Sequence, residues 1–242
     1  MAALLTRLHM RRLRALYRSA GWPFQDLIEI ELLACGMLER RVGLDASETL
    51  RLTDAGVQAL AENVMQNQRA RSAHEDLVGQ VAREMGRCGR VVWRGLMLRA
   101  RLAPTSADGS PSWCMACPDV FSIRNTSVAG YIEPIVHEIK VSRADLLGDL
   151  RNPAKRASYL ELGGQCWYVL GQDGRGRAIG TADDVPPECG VMAAAAGRLS
   201  VLRNAPRKEV VELPFHVWMA LAKATPCAGL DEGTQPMLGA AA

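Results

Sequence analysis

Pro118-Asp119 and, further along the chain, His137-Glu138-Ile139-Lys140 supply two carboxylates and an ammonium. Both segments are short and apolar enough to be neighbouring strands. The second runs Ile135-Val136-His137-Glu138-Ile139-Lys140-Val141, an apolar stretch that carries an acid and a lysine. Charges in a buried strand are costly and need a compensating role. A period of two residues puts Glu138 and Lys140 on one face. With Asp119 on the adjacent strand, two carboxylates can hold a divalent cation while the ammonium points at the same spot. That set suits hydrolysis of a phosphodiester. A metal neutralises phosphate charge and makes hydroxide from water, and a lysine steadies the charged transition state.

The elements that must hold these residues follow from periodicity and breakers. Leu77, Val78, Val81 and Met85 give Ala73 to Gly86 a helical stripe. Val91 to Ala100 is expected as a strand and Pro104 to Pro111 as a loop. Asp119 to Arg124 and Pro134 to Val141 follow as strands. Arg143 to Leu162 is helical up to Gly163-Gly164, with Pro153 placed to break or restart it. Gln165 to Leu170 is a further strand, and Ala178 to Thr181, Val191 to Ala195 and Leu199 to Leu202 carry weaker strand signals. Phe215 to Ala224 is a last helix. Upstream, helices are expected over Leu4 to Ala20 and Phe24 to Cys35, ended by Gly21-Trp22-Pro23 and Gly36. Strands over Met37 to Val42 and Thr49 to Leu52 flank a turn at Gly43 to Ser47. Thr53 then caps a helix running to about Gln68. Gln66 to Arg71 is a polar joint, either a break or a continuation of the helices beside it.

Two resemblances arise from these residues. Gly36-Met37-Leu38-Glu39-Arg40-Arg41 with Leu50-Arg51-Leu52-Thr53-Asp54-Ala55-Gly56 resembles the wing and closing helix of bacterial winged-helix regulators. Asp26, Glu29 and Glu31 on the candidate recognition helix depart from that pattern, being a poor surface for a groove lined with phosphates. From Ala73 onward, the order of elements, Pro118-Asp119 and Glu138-Ile139-Lys140 resemble the PD-(D/E)xK, or restriction-endonuclease-like, nuclease superfamily. Glu138-Ile139-Lys140-Val141-Ser142-Arg143-Ala144-Asp145-Leu146, with Lys155, Tyr159 and Cys166-Trp167-Tyr168-Val169-Leu170, is closer still to MmcB-type DNA repair proteins. The chain is thus expected to hold a winged-helix-like module at 1–68, a nuclease-like domain at 69–228 and a flexible tail at 229–242. The fold class expected is α/β (α+β), a mixed central sheet flanked by helices.

The nuclease resemblance implies a metal-dependent DNA endonuclease in repair, recombination or defence, using Mg2+ or Mn2+. It implies that Asp119 and Glu138 ligate the metal, that the Ile139 carbonyl completes the shell, and that Lys140 orients water or stabilises charge. Glu75 is a further acid in the first helix of the domain, either a ligand of a second metal or a first-turn acid favoured by the helix dipole. Arg143, Arg151, Lys155 and Arg156 are candidates for phosphate contacts or for an ordinary solvated helix face. Gln165 is a weaker site candidate, Ser142 reads as an N-cap, and His137 alternates away from Glu138 and Lys140. Cys114-Met115-Ala116-Cys117 has the spacing of half a zinc site, but buried free thiols fit it better. Trp93, Trp167 and Trp218 lie in apolar runs and read as core.

The 242-residue chain is ordinary in composition, with 48% hydrophobic and 23% charged residues, as expected of a folded globular protein. Its net charge of +3 is too small to identify a partner. Arg7, Arg11, Arg12, Arg14 and Arg18 precede the first acid, Asp26, and form a basic stripe suited to phosphates or to solvent. The seven cysteines have no disulfide-like framework, which favours a reducing compartment. The Arg-rich start lacks an apolar core of signal-peptide length, and Gly190 to Gly197 is far too short to span a bilayer. A cytoplasmic location is expected. The expected partner is DNA, double-stranded or branched, with no membrane. Room remains for a homodimer and for a protein docked on the winged-helix module, and an alternative is a binding protein on a nuclease-like scaffold with little turnover.

Overall fold

The structure is a computed structural model that describes residues 5–44, 46–102, 111–210 and 212–227. The expected tail at 229–242 and most of the Pro104 to Pro111 loop lie outside the described residues. The chain forms two compact units, Met1–Arg71 and Ser72–Ala242. No helix among the described residues is long and apolar enough to cross a membrane.

The first unit contains α1 (Arg7–Tyr17), α2 (Leu27–Ala34), β1 (Leu38–Val42), β2 (Glu48–Leu52) and the start of α3 (Asp54–Arg87). Leu13, Leu16, Leu32, Leu38 and Leu50 form its core. Thr6 caps α1 in a reciprocal box with His9, and Asp26 caps α2 through the Glu29 amide. Gly21, at φ +80°, lets the chain pass so close to β2 that a Cβ there would sit 2.3 Å from the Leu50 carbonyl oxygen. The acids at α2 are all paired, although Asp26 and Glu31 stay partly exposed. Asp26 takes both ends of the Arg12 guanidinium at 2.9 and 2.6 Å, and Glu31 meets His9 at 2.6 Å. Glu29 is buried and accepts the Phe24 and Gln25 amides.

α3 is one continuous 34-residue helix, so the polar joint at Gln66 to Arg71 is helical. Polar residues there propagate a helix whose ends are already fixed by Thr53 and by the packing further on.

The second unit is a mixed α+β layer structure. Its six-stranded sheet has the order β10-β9-β8-β7-β6-β3. The strands are β3 (Arg90–Arg94), β6 (Val120–Arg124), β7 (Ile135–Lys140), β8 (Gln165–Leu170), β9 (Gly190–Ala195) and β10 (Arg198–Arg203). β7 pairs antiparallel with β6 and parallel with β8, and β8 pairs parallel with β9. A separate hairpin joins β4 (Leu98–Leu102) to β5 (Ser112–Ala116). Leu77, Val78, Val81 and Ala82 of α3 pack on one sheet face with Val92, Val120, Ile139 and Val169. The other face carries Phe121, Val136, Tyr168 and Leu170. It packs against Leu146 of α4 (Arg143–Leu150), Tyr159 and Leu162 of α5 (Pro153–Leu162) and Val217 and Leu221 of α6 (Phe215–Lys223).

Three expected elements differ. Val91 to Ala100 is two strands, because Gly95 at φ +59° turns the chain out of the sheet. Arg143 to Leu162 is two helices, broken where Asn152 caps a new start and Pro153 takes the first helical turn. Ala178 to Thr181 is not a strand and keeps only an isolated bridge between Ala178 and Gln172.

Candidate active site

Asp119 immediately precedes β6, whose register sets Val120 opposite His137 of β7. One step further brings Asp119 opposite Glu138. Its Oδ2 accepts the Ile139 N–H at 2.7 Å, which ties the start of β6 to the C-terminal half of β7. Glu138 and Lys140 share the sheet face covered by α4 and α5, and are only 3% and 5% exposed. Lys140 Nζ donates to Glu138 Oε1 at 2.6 Å. A second ammonium, Lys155 Nζ from α5, donates to the same oxygen at 2.6 Å. Asp149 of α4 closes the network. It pairs with Lys155, lies 3.5 Å from Lys140 and accepts the Tyr168 hydroxyl at 2.8 Å. Ser142 and Asn152 cap α4 and α5, and so fix where Asp149 and Lys155 enter.

The electrostatics follow from this crowding. Burial and the neighbouring Glu138 charge push the Asp119 pKa up. Burial disfavours the Lys140 ammonium, but the Glu138 carboxylate beside it outweighs that and raises its pKa. Lys155 shifts upward for the same pair of opposed reasons. Asp149, although half-buried, is held below its usual range by its hydrogen bond from Lys155 and by the Lys140 charge. Tyr159 donates to the Cys117 carbonyl at 3.0 Å, and burial together with the Glu138 charge raises its pKa.

No protein-family model and no curated protein matches the chain. Among solved structures it is similar to SPO1766, a protein of unknown function from Silicibacter pomeroyi. The identity is 26%, the match covers 59% of this chain and 77% of that one, and the TM-score is 0.37.

The expected site residues divide. Asp119, Glu138 and Lys140 come together. Glu75 stays at the margin. Its carboxylate is mostly exposed, pairs with Arg94 at 3.0 Å, and reaches Asp119 only through His74, which lies 3.5 Å from Glu75 and 3.4 Å from Asp119. Lys155 belongs to the carboxylate network rather than to an outer phosphate-binding face. Arg143 is engaged bidentately by Asp184 at 2.6 and 2.8 Å, and Arg156 by Glu188 at 2.9 Å, so neither guanidinium is free for phosphate. Arg151 is exposed, and its side chain has no hydrogen-bond or ion-pair partner among the described residues. Gln165 opposes Ile135, at the far end of β7 from Lys140, and stands outside the site. His137 is fully buried, yet both ring nitrogens lack a partner among the described residues, so no described backbone group satisfies it. Cys114 is partly buried and Cys117 exposed, both as free thiols rather than as a buried pair.

The resemblance implies a divalent cation, and the donor set fits one at two carboxylates. Among the described residues, Glu138 Oε2 is buried without a hydrogen-bond partner, although its other oxygen takes both lysines. An orphaned anionic oxygen in a half-closed site is a natural ligand for a hard cation. Asp119 offers Oδ1, since Oδ2 takes the Ile139 N–H. Extending the β6–β7 register sets Pro118 opposite Ile139. Proline has no N–H, so that position offers the Ile139 carbonyl no ladder partner. Among the described residues, no three His, Cys, Asp or Glu side chains converge on a metal, including around Cys114 and Cys117. A cation here would rest on two side chains.

Asp149, His74 and Tyr168 escape a reading of the sequence. Tyr168 alone had a signal, because it pairs with Glu138 in the register of two parallel strands and shares its face. Asp149 looks like any acid near a helix end.

Proposed function

We propose that the Ser72–Ala242 unit is a metal-dependent endodeoxyribonuclease of the PD-(D/E)xK kind that hydrolyses phosphodiester bonds in double-stranded or branched DNA. One observation carries the reading. Asp119, from the start of β6, meets Glu138 and Lys140 at the end of β7, with Glu138 Oε2 left without a hydrogen-bond partner among the described residues.

Each side chain has a distinct task under this reading. Asp119 and Glu138 hold the cation. Bound Mg2+ or Mn2+ supplies Lewis-acid polarisation of a phosphoryl oxygen and lowers the pKa of water. Lys140 cannot be a general base, because its ammonium is clamped by Glu138 and Asp149 and its pKa is raised. It orients water and balances charge. The Lys155 side chain is 29% exposed where that of Lys140 is 6%. Lys155 is therefore the more exposed of the two ammonium groups, although both are paired with carboxylates. Asp119 works as an anion. Burial and the Glu138 charge raise its pKa in the metal-free site, and a bound cation would oppose that shift.

One observation favours a second reading, a DNA-binding scaffold with little turnover. Two ammonium groups already neutralise Glu138 Oε1, and an internally satisfied network can be purely structural. Titrating a branched duplex with the protein in Mg2+, in Mn2+ and in EDTA, with products resolved on a gel, separates the two. Products in metal and none in EDTA support the enzyme. Shifted but intact DNA under all three conditions supports the scaffold.

A further inference from the structure

The β4–β5 hairpin leads directly into the site, since only Cys117 and Pro118 separate β5 from Asp119. Its two faces differ sharply. Leu98, Ala100 and Ala116 are buried in the core. The opposite face is exposed and carries Arg99 and Arg101 from β4 with Trp113 and Met115 from β5. The register sets Arg101 across from Trp113 and Arg99 across from Met115. Neither arginine has an acidic partner among the described residues. Trp113 is 58% exposed, which is unusual for so large an apolar ring. It is held rather than loose. His216 of α6 meets it edge-on, with ring centroids 5.0 Å apart and planes at 87°, while His216 Nε2 donates to the Arg99 carbonyl at 2.9 Å.

We propose that this face binds an unpaired stretch of the nucleic-acid substrate. Trp113 stacks on a base, and Arg99 and Arg101 meet the flanking phosphates. A fixed aromatic ring beside unpaired cations is the chemistry of single-strand binding, because every base has a face to stack while a duplex hides its bases. The face carries two positive charges and no acid among its described residues, which suits a polyanion and opposes an identical copy of itself. It also lies within reach of the chemistry. Four residues of extended chain span at most about 14 Å, so Met115 is within about four 3.4 Å base steps of Asp119. α5 underlies both places, since Tyr159 holds the Cys117 carbonyl and Lys155 holds Glu138. The inference rests on the endonuclease reading for its kind of substrate, and narrows that substrate to DNA with a single-stranded arm.

The test measures binding of the full chain in EDTA, by anisotropy, to a labelled oligodeoxythymidine and to a duplex of equal length. Without metal, the outcome does not depend on cleavage, so this inference and the hydrolytic reading fail separately. Trp113→Ala is expected to weaken oligodeoxythymidine binding about 5- to 150-fold while leaving the duplex nearly unchanged, and Trp113→Phe to retain most of the affinity. Replacing Arg99 and Arg101 together by Ala is expected to flatten the salt slope by about 1.4, or ~0.7 per phosphate contact. Unchanged single-strand affinity in Trp113→Ala overturns the proposal. So does an equal loss on duplex, or a shift from dimer to monomer in sedimentation, which would make the face a contact between copies.

Discussion

Glu138 Oε1 is shared by two lysines, and those lysines share Asp149, so no single charge in the network can be removed cheaply. Lys140→Ala leaves Glu138 with only the half-exposed Lys155 and is expected to cost about 3–5 kcal/mol in urea unfolding. Lys140→Met, which refills the volume, should recover much of that stability while cleavage stays lost. Recovery of cleavage in Lys140→Met would show that the ammonium has no chemical task. His137, one position from Glu138, has no hydrogen-bond or ion-pair partner for its ring among the described residues. Burial and the nearby Arg90 charge lower its pKa to about 3 from 6.5. The folded state therefore stays unprotonated where the unfolded chain takes up a proton. This contribution is intact above pH 6.5 and falls away at roughly 1.4 kcal/mol per pH unit as the pH drops toward about 3. His137→Leu should flatten that part of the stability profile, and an unchanged slope would place the pH sensitivity elsewhere. Asp119, Glu138 and Lys140 were legible because apolar strands rarely carry such charges. Asp149 and His74 were not, because nothing in a helical sequence marks which acid or histidine will meet a distant strand.

At the scale of elements, chemistry depends on two short helices rather than one long one. The break at Asn152-Pro153 lets α4 deliver Asp149 and α5 deliver Lys155 to a common point. Asn152 Oδ1 accepts the Lys155 amide at 3.2 Å. Asn152→Ala is expected to cost about 1 kcal/mol in thermal or urea unfolding and to lower cleavage, while Asn152→Ser keeps both near wild type. Equal stabilities for Ala and Ser would remove the cap from the account. Periodicity located most strands and helices here. Where it failed, a local backbone property decided, as with Gly95 dividing one apolar run into β3 and β4. The pairing of the acids at α2 was not legible for another reason. Their signs were plain in the sequence, but their partners Arg12 and His9 lie a helix away.

At the scale of the molecule, all the residues assigned to hydrolysis fall in the Ser72–Ala242 unit, and the basic stripe of α1 falls in the other. A fragment beginning at Ser72 is expected to cleave short branched duplexes at a rate close to that of the full chain. A folded but inactive fragment would mean that residues before 72 contribute to the reaction. The most direct test of the central claim compares wild type with Asp119→Asn, which removes a charge but little volume. Cleavage of a branched duplex and calorimetric binding of Mn2+ are measured on both, with thermal unfolding as the control for folding. The account predicts cleavage that needs Mg2+ or Mn2+, at least about a 100-fold loss in Asp119→Asn, weakened Mn2+ binding and an unchanged melting temperature. Undiminished metal-dependent cleavage by Asp119→Asn, or cleavage by wild type in EDTA, would contradict it.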